Sequence, residues 1–304
     1  MHFAMVGLGR MGGNMVRRLA RASLRAAVFD RDPATAEQLA VETGALACDD
    51  LERLVGSLSA PRIVWMMLPA GAPSASTFER LLALLEPGDV IVDGANAWYR
   101  DSISRGAVAA EHGLGFVDAG VSGGVWGLAN GYGLMVGGVE ADVAKVAPFL
   151  RALAPAPDRG WVRCGPPGAG HFAKMVHNGI EYGMMQAYAE GFALLAAKSE
   201  LQLDVAAIAE SWRHGTVIRS WLLDLTAGFL SRDASLRTTA PVVADSGEGR
   251  WTAIEAIELG VPAPVMTLAL IERFASQGHD DYTHRLLAEM RAAFGGHTVT
   301  RDPG

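Results

Sequence analysis

The chain has 304 residues, 50% hydrophobic and 19% charged, which is enough for one large domain or two ordinary ones with buried cores. A formal net charge of -7 with no basic block argues against a nucleic-acid partner, and no run of about 18 apolar residues marks a membrane span. No basic stretch leads into an apolar segment and a cleavage site, so no secretory signal is expected and the predicted compartment is cytoplasmic.

A first strand is predicted at residues 3–6 and a first helix at 11–21. Between them Gly7, Leu8, Gly9, Arg10, Met11 and Gly12 spell G-x-G-x-x-G. In a dinucleotide site the first glycine permits the tight turn, the second lets backbone approach a pyrophosphate, and the third lets helix pack on strand. Taken alone the motif is a glycine-rich turn. Here the second strand, at 26–29, runs into Asp30, eighteen residues after Gly12, where a carboxylate accepts from the adenosine ribose hydroxyls. A 2′-phosphate would meet Asp30 and Asp32, so NAD is favoured over NADP. Arg31 could pair with such a phosphate, stack on adenine or point to solvent.

Further strands are predicted at 62–68, 90–92, 115–118 and 133–136, alternating with helices at 34–42, 76–85 and 102–112. That alternation predicts a Rossmann-type, doubly wound α/β unit with a parallel sheet covered on both faces. Leu68 and Pro69 fall where the chain leaves the C-terminal edge of the sheet, the usual place for cofactor contacts. After Pro166-Pro167 the pattern turns helical, with helices at 169–199, 204–212, 220–227, 253–259, 264–277 and 282–293. The expected division is therefore a dinucleotide-binding domain at 1–165 and an all-helical domain for substrate and oligomerisation at 166–304.

Two stretches suggest chemistry. Asp118 to Gly124 follows a strand, and its glycines and Ser122 suit a bound carboxylate, although a plain glycine turn has the same look. On the long helix Lys174, His177, Asn178, Glu181 and Tyr182 fall at i, i+3, i+4, i+7 and i+8, one polar stripe. A solvated face would also be polar. The surrounding Phe172, Met175, Val176, Ile180, Met184 and Met185 make the helix apolar enough to be mostly buried, and buried ionisable groups are costly unless they serve a site. Cys48 and Cys164 are far apart and read as reduced thiols, and no histidine or cysteine spacing suggests a metal.

The fingerprint, the D-x-G-x-S-G-G segment and the helix lysine together resemble the β-hydroxyacid dehydrogenase superfamily. Residues 168–186, GAGHFAKMVHNGIEYGMMQ, closely resemble the signature of the decarboxylating 6-phosphogluconate dehydrogenases. Asp93-Gly-Ala-Asn96-Ala-Trp-Tyr99, Val217-Ile-Arg219-Ser220 and Arg291-Ala-Ala-Phe294-Gly-Gly-His297 resemble further segments of that family. The short length, Asp30, Val125 to Leu128 and Asp245 to Trp251 resemble its short, NAD-preferring branch.

The resemblance implies oxidation of the 3-hydroxyl of 6-phosphogluconate by NAD, loss of CO₂ and protonation of the enediol to ribulose 5-phosphate, as in the pentose phosphate pathway and gluconate utilization. It implies Lys174 and Glu181 as catalytic residues, with no metal. It gives Asn96, Ser122, Gly123, Gly124, His177 and Asn178 to the carboxylate and hydroxyls. Tyr182, Arg219, Arg291 and His297 would meet the phosphate, the last two from a neighbouring subunit of a homodimer or homotetramer. Asn96 would also touch the cofactor. One departure bears on the phosphate: the long, NADP-linked members carry K-G-T-G-K-W-T where this chain has Ser246-Gly-Glu248-Gly-Arg250-Trp-Thr252, so a cation is lost and an anion gained. Two rivals stay open: a dehydrogenase for an unphosphorylated 3-hydroxy acid, and a non-catalytic NAD-binding protein.

Overall fold

The computed structural model describes residues 1–279, 281–295 and 298. Cα proximity divides the chain into two units, the first being Met1–Val176 and the second starting at His177.

In the first unit the order is β1 Phe3–Val6, α1 Arg10–Arg21, β2 Ala27–Phe29, α2 Pro33–Thr43, β3 Leu46–Ala47, α3 Leu51–Gly56, β4 Ile63–Met66 and α4 Ala72–Leu84. It continues with β5 Val90–Asp93, α5 Tyr99–Glu111, β6 Gly115–Ser122, α6 Gly127–Asn130, β7 Gly133–Gly138, α7 Glu140–Leu153 and β8 Trp161–Gly165. Helix α8, Ala169–Ala197, starts in the first unit and ends in the second.

The eight strands form one sheet in the order β3-β2-β1-β4-β5-β6-β7-β8. The order reverses between β1 and β4, and Val6 is in register with both Phe29 and Met66, so three strands end together. Such a switch point opens a crevice at the carboxyl edge. The expectation of a wholly parallel sheet needs one correction, because β6 and β7 pair antiparallel. The ten residues from Gly123 to Tyr132 are too few for the crossover of a dozen or more that a parallel return requires. Strands β3 and β8 and helices α3 and α7 also go beyond the predicted elements. The first is two residues long, and β8 is largely exposed, so neither carries a strong apolar pattern.

Between its edge strands β3 and β8 the sheet is buried on both faces, and alternation along the strands sorts the core. Phe3, Met5, Val28, Trp65, Val92 and Val117 pack with Met15, Val16 and Leu19 of α1 and Val146 and Leu150 of α7. Their neighbours Ala4, Val6, Ala27, Val64, Met66 and Ile91 pack on the other side with Leu54 of α3, Phe78 and Leu81 of α4 and Ala109 of α5. Local signals set the ends: Asp32 caps α2 through the Ala34 N–H with Pro33 in its first turn, and Gly44 ends it in the left-handed region.

The second unit holds the rest of α8 with α9 Val205–Trp212, α10 Trp221–Leu230, α11 Glu248–Glu258, α12 Pro264–Ser276 and α13 Asp281–Gly295. Its apolar cluster is small, Ala209, Ala227 and Leu230 with Phe192, Val205 and Ala206 against them. Ile180, Met184 and Met185 are exposed, so the expectation that α8 is mostly buried fails over this part of the helix. The physical reason is that the short helices of this unit leave that flank of α8 without cover in a single copy of the chain. Among the described residues no helix is long and apolar enough to cross a membrane. Cys48 is buried, Cys164 is exposed, and both are free.

Candidate active site

In the first unit a cavity of about 760 Å³ opens at the sheet's switch point. Its lining includes Gly7, Gly9, Arg10, Met11, Gly12, Asp30, Arg31, Leu68, Pro69 and Asn96. These are the predicted cofactor residues except Leu8, which is buried. Leu8 instead donates its N–H to Asp30 Oδ2 at 2.7 Å, and Asp32 N–H donates to Oδ1 at 3.0 Å. Asp30 thus ties the glycine loop to the end of β2 and keeps lone pairs for a ligand.

The three fingerprint glycines are not equivalent. Gly7 has φ +90, and a Cβ there would lie 2.5 Å from the Met67 carbonyl oxygen; one on Gly12 would lie 2.1 Å from that of Gly7. The fold itself forbids side chains at both. A Cβ on Gly9 would meet nothing within 4 Å, so nothing in the chain requires glycine there. The empty space beside Gly9 is a cradle a Cβ would fill, on the lining of the cavity, and it fits a pyrophosphate at the N-terminus of α1.

Pro73, Ser76 and Thr77 also line the cavity and were missed. The predicted helix began at 76, whereas α4 begins at Ala72, so its first turn had not been placed at the sheet edge. Asn96 sits on the loop after β5. Asp93 is fully buried, accepts from the Ala95 N–H at 3.1 Å and pairs with Arg105 Nη1 at 2.5 Å, while Arg105 also donates to Ser74 Oγ at 3.0 Å. A buried ion pair so bound fixes the loop carrying Asn96.

Ser122 ends β6, and Gly123 and Gly124 follow it, both with positive φ, +129 and +49, a bend of the kind that can gather backbone N–H groups round an anion. The start of α8 is seated on this same strand. The Asp118 carboxylate, fully buried, accepts from the N–H groups of Gly168 at 2.6 Å and His171 at 2.7 Å. A Cβ on Gly120 would lie 2.4 Å from Lys174 Cβ, and one on Gly170 would lie 2.6 Å from the Asp118 carbonyl oxygen. Glycine in both elements therefore lets the helix lie against the strand and sets Lys174, 9% exposed, directly over β6. Asp118 was quoted in the sequence motif without a role; its capping bonds span fifty residues or more and leave no local signal.

Along α8 the predicted stripe divides in two. Lys174, Asn178 and Tyr182, four residues apart, are buried, whereas His177 is exposed and Glu181 half-buried. His177 Nδ1 lies 3.2 Å from Asn178 Oδ1 and 3.7 Å from Glu181 Oε2.

Within the second unit, α11 packs close on α8 through glycine: a Cβ on Gly179 would lie 2.7 Å from Thr252 Cγ2, and one on Gly249 2.7 Å from Tyr182 Cε2. Tyr182 Oη lies 3.3 Å from Ser246 Oγ, which donates to Glu248 Oε2 at 2.6 Å. Arg273 Cζ lies 3.5 Å from the Tyr182 ring centroid, and Nη1 donates to the Ala244 carbonyl at 2.9 Å. Among the described residues no carboxylate pairs with Arg273, whereas Arg250 is held by Asp245. Arg273 escaped sequence reasoning because it stands inside an ordinary amphipathic helix, α12, with no motif around it.

Arg219 lies elsewhere in this unit, on an apolar cavity of about 390 Å³ lined also by Met184, Tyr188, Phe192, Trp212 and Val217. Arg291 is exposed on α13, and His297 lies outside the described residues. Among the described residues no group of three or more His, Cys, Asp or Glu could hold a metal ion.

A Rossmann sheet with a cradle at its switch point, and a long helix that seats a buried lysine over β6, define a nicotinamide-dependent dehydrogenase. Residues 2–164 match the family model described as the NAD binding domain of 6-phosphogluconate dehydrogenase, and residues 170–289 match that of its C-terminal domain. The chain belongs to the 6-phosphogluconate dehydrogenase family. It is 39% identical to the NAD(+)-dependent, decarboxylating 6-phosphogluconate dehydrogenase of Haloferax volcanii, over 99% of each chain. It is 37% identical to the NAD(+)-dependent, decarboxylating enzyme of Bacillus subtilis, over 89% of this chain and 60% of that longer one. The Plasmodium falciparum 6-phosphogluconate dehydrogenase, solved apo and with NADP+ or 6-phosphogluconate, superposes with a TM-score of 0.85 at 27% identity, over 100% of this chain and 67% of that one.

Proposed function

We propose that this protein oxidises 6-phosphogluconate with NAD and releases CO₂, giving ribulose 5-phosphate. The observation that carries the reading is the seating of Lys174: buried, over β6, on a helix that continues through Asn178, Glu181 and Tyr182. NAD, when bound at the cradle, supplies the hydride acceptor for C3. Lys174 Nζ takes the proton of the 3-hydroxyl, which requires the neutral amine at that moment. As CO₂ leaves the resulting 3-keto acid, Lys174 returns the proton to the C3 oxygen, which gives an enediol. Glu181, half-buried and open to exchange with solvent, then protonates the carbon that bore the carboxylate (C2 of the acid, C1 of the product) while Lys174 takes the hydroxyl proton back from the C3 oxygen, which completes the ketose.

Ser122, Gly123 and Gly124 hold the substrate carboxylate, and Asn96, His177 and Asn178 its hydroxyls. Tyr182 and Arg219, with Arg291 and His297 of a neighbouring copy, serve the phosphate end, and Arg273, which among the described residues pairs with no carboxylate, lies over the Tyr182 ring and joins them. Asp30 and the adjacent Asp32 favour NAD over NADP. The exposed apolar side chains of the second unit, with Val217 fully exposed and Ile257 78% exposed, support a homo-oligomer. A cytoplasmic location belongs to the same reading.

The test is CO₂ and NADH production from 6-phosphogluconate against gluconate, with NAD and NADP in parallel. Stoichiometric CO₂ from the phosphorylated acid with NAD is expected; reduction of NAD without CO₂ would sink the assignment. Arg219→Ala and Arg273→Ala are each expected to raise KM for 6-phosphogluconate by about thirtyfold, the loss of a charge-assisted pair.

A further inference from the structure

His171, 2% exposed in the first turn of α8, is tied to two elements at once. Its N–H donates to Asp118 of β6, and its ring Nδ1 lies 2.7 Å from the hydroxyl of Ser102, fully buried on α5. Glycines let the two helices close on each other at this level. A Cβ on Gly106 would lie 2.7 Å from Pro167 Cβ, and one on Gly168 2.6 Å from Ile103 Cγ1. The rings of Tyr99 and Phe172 meet edge to face beside them, with centroids 5.1 Å apart. The first turn of α8 is therefore clamped between β6 and α5.

Packing alone does not account for a histidine here. Among the described residues its buried Nε2 has no hydrogen-bond partner. Whichever tautomer the ring adopts, Nε2 is then a donor or an acceptor left unpaired, which costs free energy. A leucine would fill comparable space without that cost. What the histidine adds is the contact through Nδ1. Both ends of that contact lead to the site. Ser102 stands three residues before Arg105, whose pair with Asp93 fixes the loop carrying Asn96 on the cavity wall. His171 stands three residues before Lys174, its neighbour along the helix surface.

We propose that His171 is a positioning residue: through Ser102 it sets Lys174 against the Asn96 loop, without itself touching substrate or cofactor. The proposal rests on the reading of Lys174 as the base. A base acts only within hydrogen-bond reach of its proton, and a misplacement of about 1 Å can cost on the order of 100-fold in rate.

Three variants separate the bond from the volume. His171→Leu keeps the bulk and deletes the bond. His171→Asn keeps a polar atom at the place of Nδ1 and drops Nε2. Ser102→Ala deletes the bond from the other helix for the loss of one oxygen. Each is assayed with NAD and 6-phosphogluconate, and rates are expressed per NAD-binding site from a fluorescence titration, so that unfolded protein does not count. His171→Leu and Ser102→Ala are expected to lower kcat about thirtyfold, with Kd for NAD and KM for 6-phosphogluconate within about twofold of wild type. His171→Asn is expected to recover kcat to within about threefold of wild type.

A residue that only stabilised the fold would lower Tm and the number of binding sites and leave kcat per site unchanged. Wild-type kcat per site in Ser102→Ala, or an asparagine variant no faster than the leucine one, overturns the proposal. Where His171→Leu yields no folded protein, Ser102→Ala against His171→Asn makes the same comparison. The wild-type arm tests the parent reading: no NADH from 6-phosphogluconate sinks both, whereas normal wild-type turnover with unaffected variants sinks only the role of His171.

Discussion

The two units bury their apolar residues in different ways. The first closes on itself: helices cover both faces of its sheet, and strand alternation delivers one set of side chains to each. The second leaves Leu194, Ile257 and Val265 more than half exposed around a cluster of three buried residues. Exposed apolar side chains in such number are the kind of surface that protein–protein contacts cover. The first unit thus covers its own apolar faces, whereas the second fits the proposal that another copy of the chain completes it.

The sharpest way to separate the two roles is to remove the catalytic base while leaving the cofactor cavity intact. Lys174→Ala is expected to lower kcat by roughly 10³-fold, within the range for loss of a positioned acid–base group. NAD binding, followed by fluorescence titration, should persist. Turnover near the wild-type rate would remove Lys174 from the mechanism.

The next largest effect addresses the exposed faces. Ile257→Glu places a charge on the apolar side of α11 and is expected to weaken self-association by about a hundredfold, as for an interface hot spot. Val41, 90% exposed in the first unit, is the control: Val41→Glu should leave sedimentation unchanged. If Ile257→Glu sediments like wild type, that face is not an interface and the contrast between the units fails.

The same contrast explains what could be read from the chain alone. Strands β1, β4 and β5 were legible because each is a short, fully buried apolar run, and the fingerprint because its three glycines, strand, helix and acid lie within thirty residues. The stripe from Lys174 to Tyr182 was legible because one helix carries it. Its division into a buried and an open row was not, since burial depends on which elements cover which side. The antiparallel β7 hid behind a connection whose length was legible but whose route was not. Asp118, Arg105 and Arg273 act across fifty, twelve and twenty-nine residues respectively, and no periodicity marks such partners. Arg219 is the converse: a motif marks the residue, but the largely apolar cavity that it lines is built by residues from several helices and has no sequence signature.

Within the first unit, Gly9 and Gly12 distinguish what the fold needs from what the ligand needs. A methyl group on Gly9 meets only open space, so Gly9→Ala should leave Tm unchanged. It should raise Kd for NAD by about thirtyfold, the scale of a steric intrusion of about 2 kcal/mol. Gly12→Ala drives its Cβ to 2.1 Å from the Gly7 carbonyl oxygen and should lower Tm by several degrees. Equal thermal penalties for the two variants would mean that Gly9 is structural and that the cradle has been misread.

The smallest effect concerns Asp30, which has one structural and one ligand-directed role. Both carboxylate oxygens already accept backbone N–H groups, from Leu8 and Asp32, so the residue fixes the loop whether or not a ribose binds. Serine keeps one acceptor and loses the negative charge. Asp30→Ser is therefore expected to raise KM for NAD only about fivefold, the value of one hydrogen bond, and to lower KM for NADP, because a 2′-phosphate no longer meets that charge. Asp32 stays committed to capping α2 through Ala34 and Thr35, and its charge remains near the site, so the preference should shrink and not invert. Complete inversion in the single variant would place the discrimination in Asp30 alone; an unchanged NAD-to-NADP ratio would reduce Asp30 to the anchor of the glycine loop.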